Sequence, residues 1–463
     1  MFRVGALAVP PMYFLYNLAI VFYAILVAPR VLYAAVRYRK YIGSLAERCG
    51  WLSAEINPDR KPSIWIHAVS VGEVLSIRAL IPALRDRYPG HRLLMSTTTE
   101  TGHAVAAQLK VVDGLFYFPL DLPVIVKRVL AQVRPDLFLM VDTELWPNLL
   151  RHCARLGVKT VLVNGRISDR SYPRYLLARS LFRRVLVGVD RCCAQSETTS
   201  IRLIGLGASP TRVTVTGNLK FDVLPGLVVA SSWNNEAVLK AFRMSPGRTV
   251  IIAASTHSGE ESFVLNAFAR IRQQDSQALL VVAPRHPERC EEVTALSSVK
   301  GFETIRRSDL PANGQPRAAV VVLDTVGELA VLYQIASIVF LGGSLVPVGG
   351  HNVLEPASWG KPVVFGPHMR NFSEITELFL ANRAARQISG PDGLEVALLE
   401  LLDDSTQCAS LGAAAANLVR GQGGATERSL AEIAAVLPPD KTGLNRGVEP
   451  NSCQMDRNGS SRI

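Results

Sequence analysis

The chain has 463 residues, more than one ordinary core accommodates, so two folded domains are expected. Hydrophobic residues make up 48% and charged residues 19%, which excludes a disordered chain. The net charge of +11 favours acidic partners: nucleic acid, anionic membrane or phosphorylated substrates. The 7 cysteines are an odd number with no Cys-x-x-Cys, which argues against a disulfide framework or a zinc site and for a reducing compartment.

The first element is an apolar run over 12–29, uncharged, with Asn17 its one strongly polar side chain. It is about long enough to cross a hydrocarbon core. Arg30, Arg37, Arg39 and Lys40 follow it, with only Arg3 before it, so the positive-inside rule puts the rest of the chain in the cytoplasm. A membrane anchor is expected, either spanning or lodged in the inner leaflet. A cleaved signal peptide and a helix packed on the protein itself are the alternatives.

Short apolar strands then alternate with helical patterns. The first series is 63–68, 92–97, 115–118, 137–141, 160–163, 191–194 and 213–216; the second is 249–254, 278–283, 319–323, 338–341 and 362–365. Helical spacing marks 74–87, 123–132 and 262–273. This alternation predicts parallel sheets covered on both faces, in two Rossmann-like halves with ligands at the carboxyl ends of the strands. The expected division is an anchor (1–45), an N-terminal domain (46–230), a C-terminal domain (231–437) and a disordered tail (438–463).

The chemistry-bearing motifs lie at strand ends. The first runs Trp65-Ile66-His67-Ala68-Val69-Ser70-Val71-Gly72-Glu73. Gly72 permits a tight strand-to-helix turn, and Glu73 projects from the helix start. A plain capping box of Ser70 and Glu73 fits the same spacing, and His67 reads as a packed strand residue. The second, Asp142-Thr143-Glu144-Leu145-Trp146-Pro147-Asn148, puts two carboxylates at one strand end. They suit binding a sugar hydroxyl, positioning an acceptor or compensating buried positive charge; alternatively Asp142 is an N-cap with Glu144 in the first helical turn. Arg166, Arg170, Arg174, Arg179, Arg183 and Arg184, interleaved with aromatic and aliphatic residues, read either as a surface for anionic lipid or a phosphorylated lipid acceptor, or as a solvated helix face.

Lys220, in Gly217-Asn218-Leu219-Lys220-Phe221-Asp222, could neutralise a phosphate or carboxylate, or be a solvated linker lysine. Arg285, in Pro284-Arg285-His286-Pro287, suits bidentate phosphate recognition. Asp324-Thr325-Val326-Gly327-Glu328-Leu329 follows. The last motif is Gly342-Gly343-Ser344, leading to Gly349-Gly350-His351-Asn352-Val353-Leu354-Glu355-Pro356. Its paired glycines would leave backbone N–H groups open to a phosphate, beside a helix starting near Asn352, with Glu355 accepting from ribose hydroxyls. The glycines could equally serve close packing. Neither a Walker loop nor the dinucleotide fingerprint is present.

In this order, HAVSVGE, DTELWPN, NGRISDRS, GNLKFD, PRHPER, DTVGEL, GGS and GGHNVLEP resemble the 3-deoxy-D-manno-octulosonic acid (Kdo) transferases of lipopolysaccharide synthesis. The resemblance runs from the anchor to about residue 435. It implies an α/β fold of the GT-B type: two Rossmann-like domains facing a central cleft, with an N-terminal membrane-anchor helix. It implies CMP-Kdo as donor, the phosphorylated disaccharide lipid A precursor as acceptor, and an inverting reaction needing no metal and no cofactor. The partners are the donor, the acceptor and the anionic cytoplasmic face of the inner membrane, not nucleic acid. Glu73 matches the general base, and Lys220 a residue assigned to transition-state stabilisation. Pro284, Arg285, Val326, Gly327, Glu328, Asn352, Val353, Leu354 and Glu355 match positions that hold the CMP part. Asp142 stands where the family usually has a glutamate with a transition-state role, so its reach is shorter by about 1.5 Å. A UDP-sugar transferase of the same fold and a non-catalytic sugar-nucleotide binder are the rivals.

Overall fold

The computed structural model describes residues 11–38, 42–223, 235–242, 245–310 and 318–439. The expected tail and the loop at 231–235 fall almost wholly outside the described residues.

The chain divides into two compact units, Met1–Leu219 with Thr426–Ile463, and Lys220–Ala425. Among the described residues each unit is built on one seven-stranded sheet with parallel pairing. Unit 1 holds β1 (Ser63–His67), β2 (Arg92–Thr97), β3 (Gly114–Tyr117), β4 (Pro135–Val141), β5 (Lys159–Gly165), β6 (Arg191–Ala194) and β7 (Val213–Val215), in the order β3-β2-β1-β4-β5-β6-β7. Unit 2 holds β8 (Val250–Thr256), β9 (Leu279–Pro284), β10 (Thr304–Arg306), β11 (Val320–Val322), β12 (Ile338–Leu341), β13 (Val363–Phe365) and β14 (Arg386–Gln387), in the order β10-β11-β9-β8-β12-β13-β14. The order reverses between β1 and β4, and again between β8 and β12. Crevices for ligands open at such switch points, beyond the carboxyl ends of the strands.

Burial on both faces explains why the strands read as unbroken apolar runs. In β8, Val250, Ile252 and Ala254 join one cluster while Ile251 and Ala253 join another, as a period of two requires. In unit 1, Trp65 packs on Phe138 with ring centroids 4.7 Å apart and on Phe116 at 5.5 Å. Every strand expected from the sequence forms; β10 and β14, short and carrying arginine, are additional.

The division differs from the expected one. The chain passes between units at Leu219 and Lys220 rather than near 230, and the C-terminal helix Ala425–Val436 returns to unit 1. Specific bonds hold it there: Arg191 pairs with Glu432 at 3.0 Å, Arg428 Nε donates to the Thr216 carbonyl at 2.8 Å, and Tyr88 Oη donates to the Leu437 carbonyl at 2.6 Å.

The apolar N-terminal run forms the helix Pro11–Tyr38. One face docks on unit 1. Tyr13 is buried, Tyr16 Oη donates to Asp121 Oδ2 at 2.9 Å, and Asn17 Oδ1 accepts from Asn148 Nδ2 at 2.7 Å. Phe14, Leu15, Leu18, Phe22, Ile25 and Leu26 are exposed. Among the described residues no helix is long and apolar enough to cross a membrane, so the spanning form of the anchor is not carried forward. The packed-helix alternative is right for one face.

Candidate functional site

The β1 and β4 carboxyl ends are adjacent, with His67 beside Met140, so the loops after them meet. The first loop leads into the helix Val71–Ser76 with Ser70 at its N-cap. Glu73 reaches back: Oε2 accepts from the Val69 N–H at 2.7 Å, and Oε1 accepts from Ser70 Oγ at 3.0 Å. This is half of the expected capping box. The glutamate arm forms, one residue early, but Ser70 donates to the carboxylate instead of capping the backbone. Gly72 needs no special backbone, and a Cβ there would meet only Ser70 Oγ, at an ordinary 4.0 Å. The close approach is at Gly102, where a Cβ would lie 3.2 Å from the Ser70 carbonyl carbon.

The carboxylate of Glu73 is thereby fixed in direction but poorly solvated. Burial, then the nearby Asp142 and Glu144 carboxylates, push its pKa up to about 7; the two hydrogen bonds oppose this only in part. A carboxylate tuned to neutrality is a competent general base.

The β4 loop departs from expectation. Asp142 is not an N-cap, because the helix starts at Pro147 behind Trp146, and Glu144 lies before the first turn. The two N–H groups that need capping there, of Asn148 and Leu149, instead donate to the buried Asp121 at 2.9 and 2.8 Å. Asp142 adopts a left-handed backbone (φ 59°), as does its neighbour Asn164 on β5 (φ 56°), a conformation that Asp and Asn tolerate best among residues with side chains. Asn164 Nδ2 donates to Asp142 Oδ1 at 2.8 Å, while Asn164 Oδ1 accepts from the Leu219 N–H at 2.9 Å. One buried carboxamide thus ties Asp142 to the backbone at Leu219. Glu144 accepts from Trp146 Nε1 at 3.1 Å, and burial, with Asp142, lifts its pKa to about 7.

In unit 2, Lys220 sits on the 3-10 turn Leu219–Phe221 with Nζ 5.5 Å from the centre of the Phe372 ring. Pro284 ends β9, the Arg285 N–H donates to the Thr256 carbonyl at 3.0 Å, and the Arg285 side chain is exposed without an ion pair among the described residues. Arg289 of the same motif is committed elsewhere, bonding Glu261 at 2.6 Å and Glu292 at 3.0 Å. Val326 is exposed and Gly327 left-handed (φ 93°). Glu328 holds Arg307 through two 3.0 Å bonds. Asn352 Oδ1 caps the Leu354 N–H at 3.1 Å and Nδ2 donates to Glu355 Oε1 at 3.2 Å; the helix begins at Leu354, and Val353 and Leu354 are buried. Burial raises the pKa of Glu355.

The paired glycines do not leave open N–H groups. Glu260, fully buried and unremarked in the sequence, accepts from the N–H groups of His257 (2.9 Å), Gly343 (2.6 Å), Ser344 (3.0 Å) and Leu345 (2.9 Å). Those of Gly349 and Gly350 donate to the Gly343 carbonyl. The loop is a carboxylate-filled nest. His257 and His351 stack over it, their Nε2 atoms 3.0 Å apart, with His286 edge-on. Burial holds both imidazoles of the stack neutral, His351 down at about 4, so one donates its Nε2–H to the other.

The 43–223 segment matches the family model described as 3-Deoxy-D-manno-octulosonic-acid transferase (kdotransferase). A 3-deoxy-D-manno-octulosonic acid transferase of Haemophilus influenzae is 33% identical over 86% of this chain and 92% of its own length. One from Bordetella pertussis is 33% identical over 79% and 86%. Among solved structures, a UDP-GlcNAc 2-epimerase from Neisseria meningitidis, 13% identical, superposes with a TM-score of 0.56 over 81% of this chain and all of its own, a likeness of fold.

Proposed function

The chain belongs to the Kdo transferase family and is a glycosyltransferase, and from that premise we propose that it moves Kdo from CMP-Kdo to the phosphorylated lipid A precursor (lipid IVA). The reaction inverts the anomeric centre, needs no metal and releases CMP. The observation that carries this reading is Glu73: a carboxylate aimed by the Val69 N–H and Ser70 Oγ, with its pKa pushed up to about 7. It takes the proton of the acceptor hydroxyl as the bond to Kdo forms. Asp142, through the Asn164 clamp, and Lys220 stabilise charge in the transition state. Pro284, Arg285, Val326, Gly327, Glu328, Asn352, Val353, Leu354 and Glu355 hold the CMP part, Arg285 by its uncommitted guanidinium and the buried Glu355 by accepting from hydroxyls.

The acceptor is a lipid, and unit 1 has features that suit one. The exposed apolar face of the helix Pro11–Tyr38 lies in the inner leaflet of the cytoplasmic membrane, with the catalytic units on the cytoplasmic side. A pocket of ≈ 270 Å³ beside it is lined by Tyr13, Arg151, Arg155 and Arg184, and these guanidiniums make no ion pair among the described residues. That is a seat for phosphate. The test is mass spectrometry of lipid IVA incubated with purified protein and a CMP-Kdo supply. A Kdo-sized increment and release of CMP are expected, unaffected by EDTA. No increment with lipid IVA defeats the acceptor and donor assignment.

A further inference from the structure

Glu144 and His67 face each other across the switch point of unit 1, Nε2 to Oε2 at 3.9 Å. This is not an ion pair, because burial keeps His67 neutral, with its pKa down at about 3. The ring is fixed by stacking on Phe118, centroids 3.8 Å apart. Its Nδ1 lies 3.1 Å from the Ser96 carbonyl oxygen and 3.0 Å from Ser96 Oγ. Its Nε2 is fully buried with no hydrogen-bond partner. A buried polar atom without a partner is costly, so the orphan points to what the neighbouring carboxyl does.

A neutral imidazole carries one N–H. If it sits on Nδ1, it donates to the Ser96 carbonyl, and Nε2 turns a lone pair towards Glu144. Only a protonated Glu144, once it closes the 3.9 Å gap to hydrogen-bond distance, satisfies that lone pair. If it sits on Nε2, it points at an ionised Glu144, and Nδ1 must accept from Ser96 Oγ. The hydroxyl is free to do so, since Oγ already accepts the Trp65 Nε1–H at 2.8 Å and keeps its own proton to give. Each protonation state of Glu144 therefore has its own matched tautomer of His67.

We propose that His67 and Glu144 form a proton-holding pair behind Glu73, in which Glu144 retains a proton so that Glu73 can ionise and act as base. Glu144 is a positioning residue for charge, and His67 stabilises it in either state. Between the states, one proton is added to or lost from Glu144, while the imidazole stays neutral and moves its own proton between Nε2 and Nδ1. The pKa of Glu144, lifted to about 7 like that of Glu73, fits two carboxyls titrating as a coupled pair. Among the described residues, the titratable groups facing Glu144 are His67 from β1, Glu73 from the helix Val71–Ser76, Asp142 from its own turn, Tyr175 from the helix Tyr172–Leu177, and Tyr16 across the shared pocket. None of them is cationic at neutral pH.

The proposal rests on Glu73 as the base, and one arm of its test does not use activity. In ¹⁵N-histidine-labelled full-length protein, with the His67 signals assigned by their loss in His67→Phe, Nε2 is expected to change from acceptor-like to N–H-like only as pH rises above the acid limb of the activity, after Glu73 has ionised, with no imidazolium forming. In Glu144→Gln the tautomer is expected to stay fixed from pH 5 to 9. The acid limb of the kcat/KM profile is expected to stay in place in that variant, because Gln copies the protonated, neutral carboxyl beside Glu73. A single His67 tautomer at all pH values in the wild-type protein overturns the pair, whatever the activity. An acid limb that moves down in a folded Glu144→Gln variant shows a charged Glu144 beside the ionising Glu73 and overturns the proposal.

Discussion

Two sets of carboxylates, one in each unit, are held in opposite ways. In unit 2, Glu260 accepts from four backbone N–H groups, Glu261 holds Arg289, and Glu328 holds Arg307. These charges are compensated and their job is to shape loops. In unit 1, Glu73, Asp142 and Glu144 crowd one switch point, and burial together with like charge pushes Glu73 and Glu144 up to about 7. Like charges held together out of water cost stability, and that crowding is also what makes a carboxylate take a proton at neutral pH. The difference separates a binding scaffold from a site of proton transfer.

That comparison can be broken in several places. Glu73→Gln removes the base and is expected to lower kcat by about 10³-fold with donor binding retained; CMP release and CMP-Kdo titration check both. Glu260→Ala strips four N–H groups of their acceptor and is expected to destabilise unit 2 by about 3 kcal/mol or more, read by denaturant unfolding. Asn164→Ala removes one hydrogen bond from Asp142 and the acceptor of the Leu219 N–H, and is expected to cost about 2 kcal/mol and to lower kcat more than it raises KM. The smallest effect concerns pH. The folded pKa of Glu73 stands above its unfolded value, so its stabilising contribution is complete below about 4.5 and lost as pH rises through 7. Glu73→Gln is therefore expected to raise stability at pH 8 by about 1 kcal/mol, and less at pH 5; a thermal melt at each pH reads the difference.

The strands were legible because parallel sheets bury both faces, and burial writes itself as apolar runs. Strands β10 and β14 were not, since short edge strands carrying arginine look like loops. Glu73 and Asp142 were legible as carboxylates at strand ends. What local sequence could not carry was long-range pairing. Asp121 caps a helix 27 residues away, Asn164 clamps Asp142 from the next strand, and Glu260 fills a loop 83 residues on. The glycine loop was misread for that reason: its N–H groups looked free because their acceptor is distant in sequence. Asn17 shows the same effect in reverse, since the one polar residue of the apolar run is the one that docks on Asn148.

The central claim is that Glu73 is a base poised near neutrality. The pH dependence of kcat/KM for the full-length chain in detergent, with CMP-Kdo and lipid IVA, tests it most directly. Activity that rises with pH to a plateau through a midpoint near 7, and an acid limb absent from the residual activity of Glu73→Gln, is the expected result. A midpoint near the ordinary carboxylate value of about 4.3, or a limb unchanged in Glu73→Gln, contradicts it.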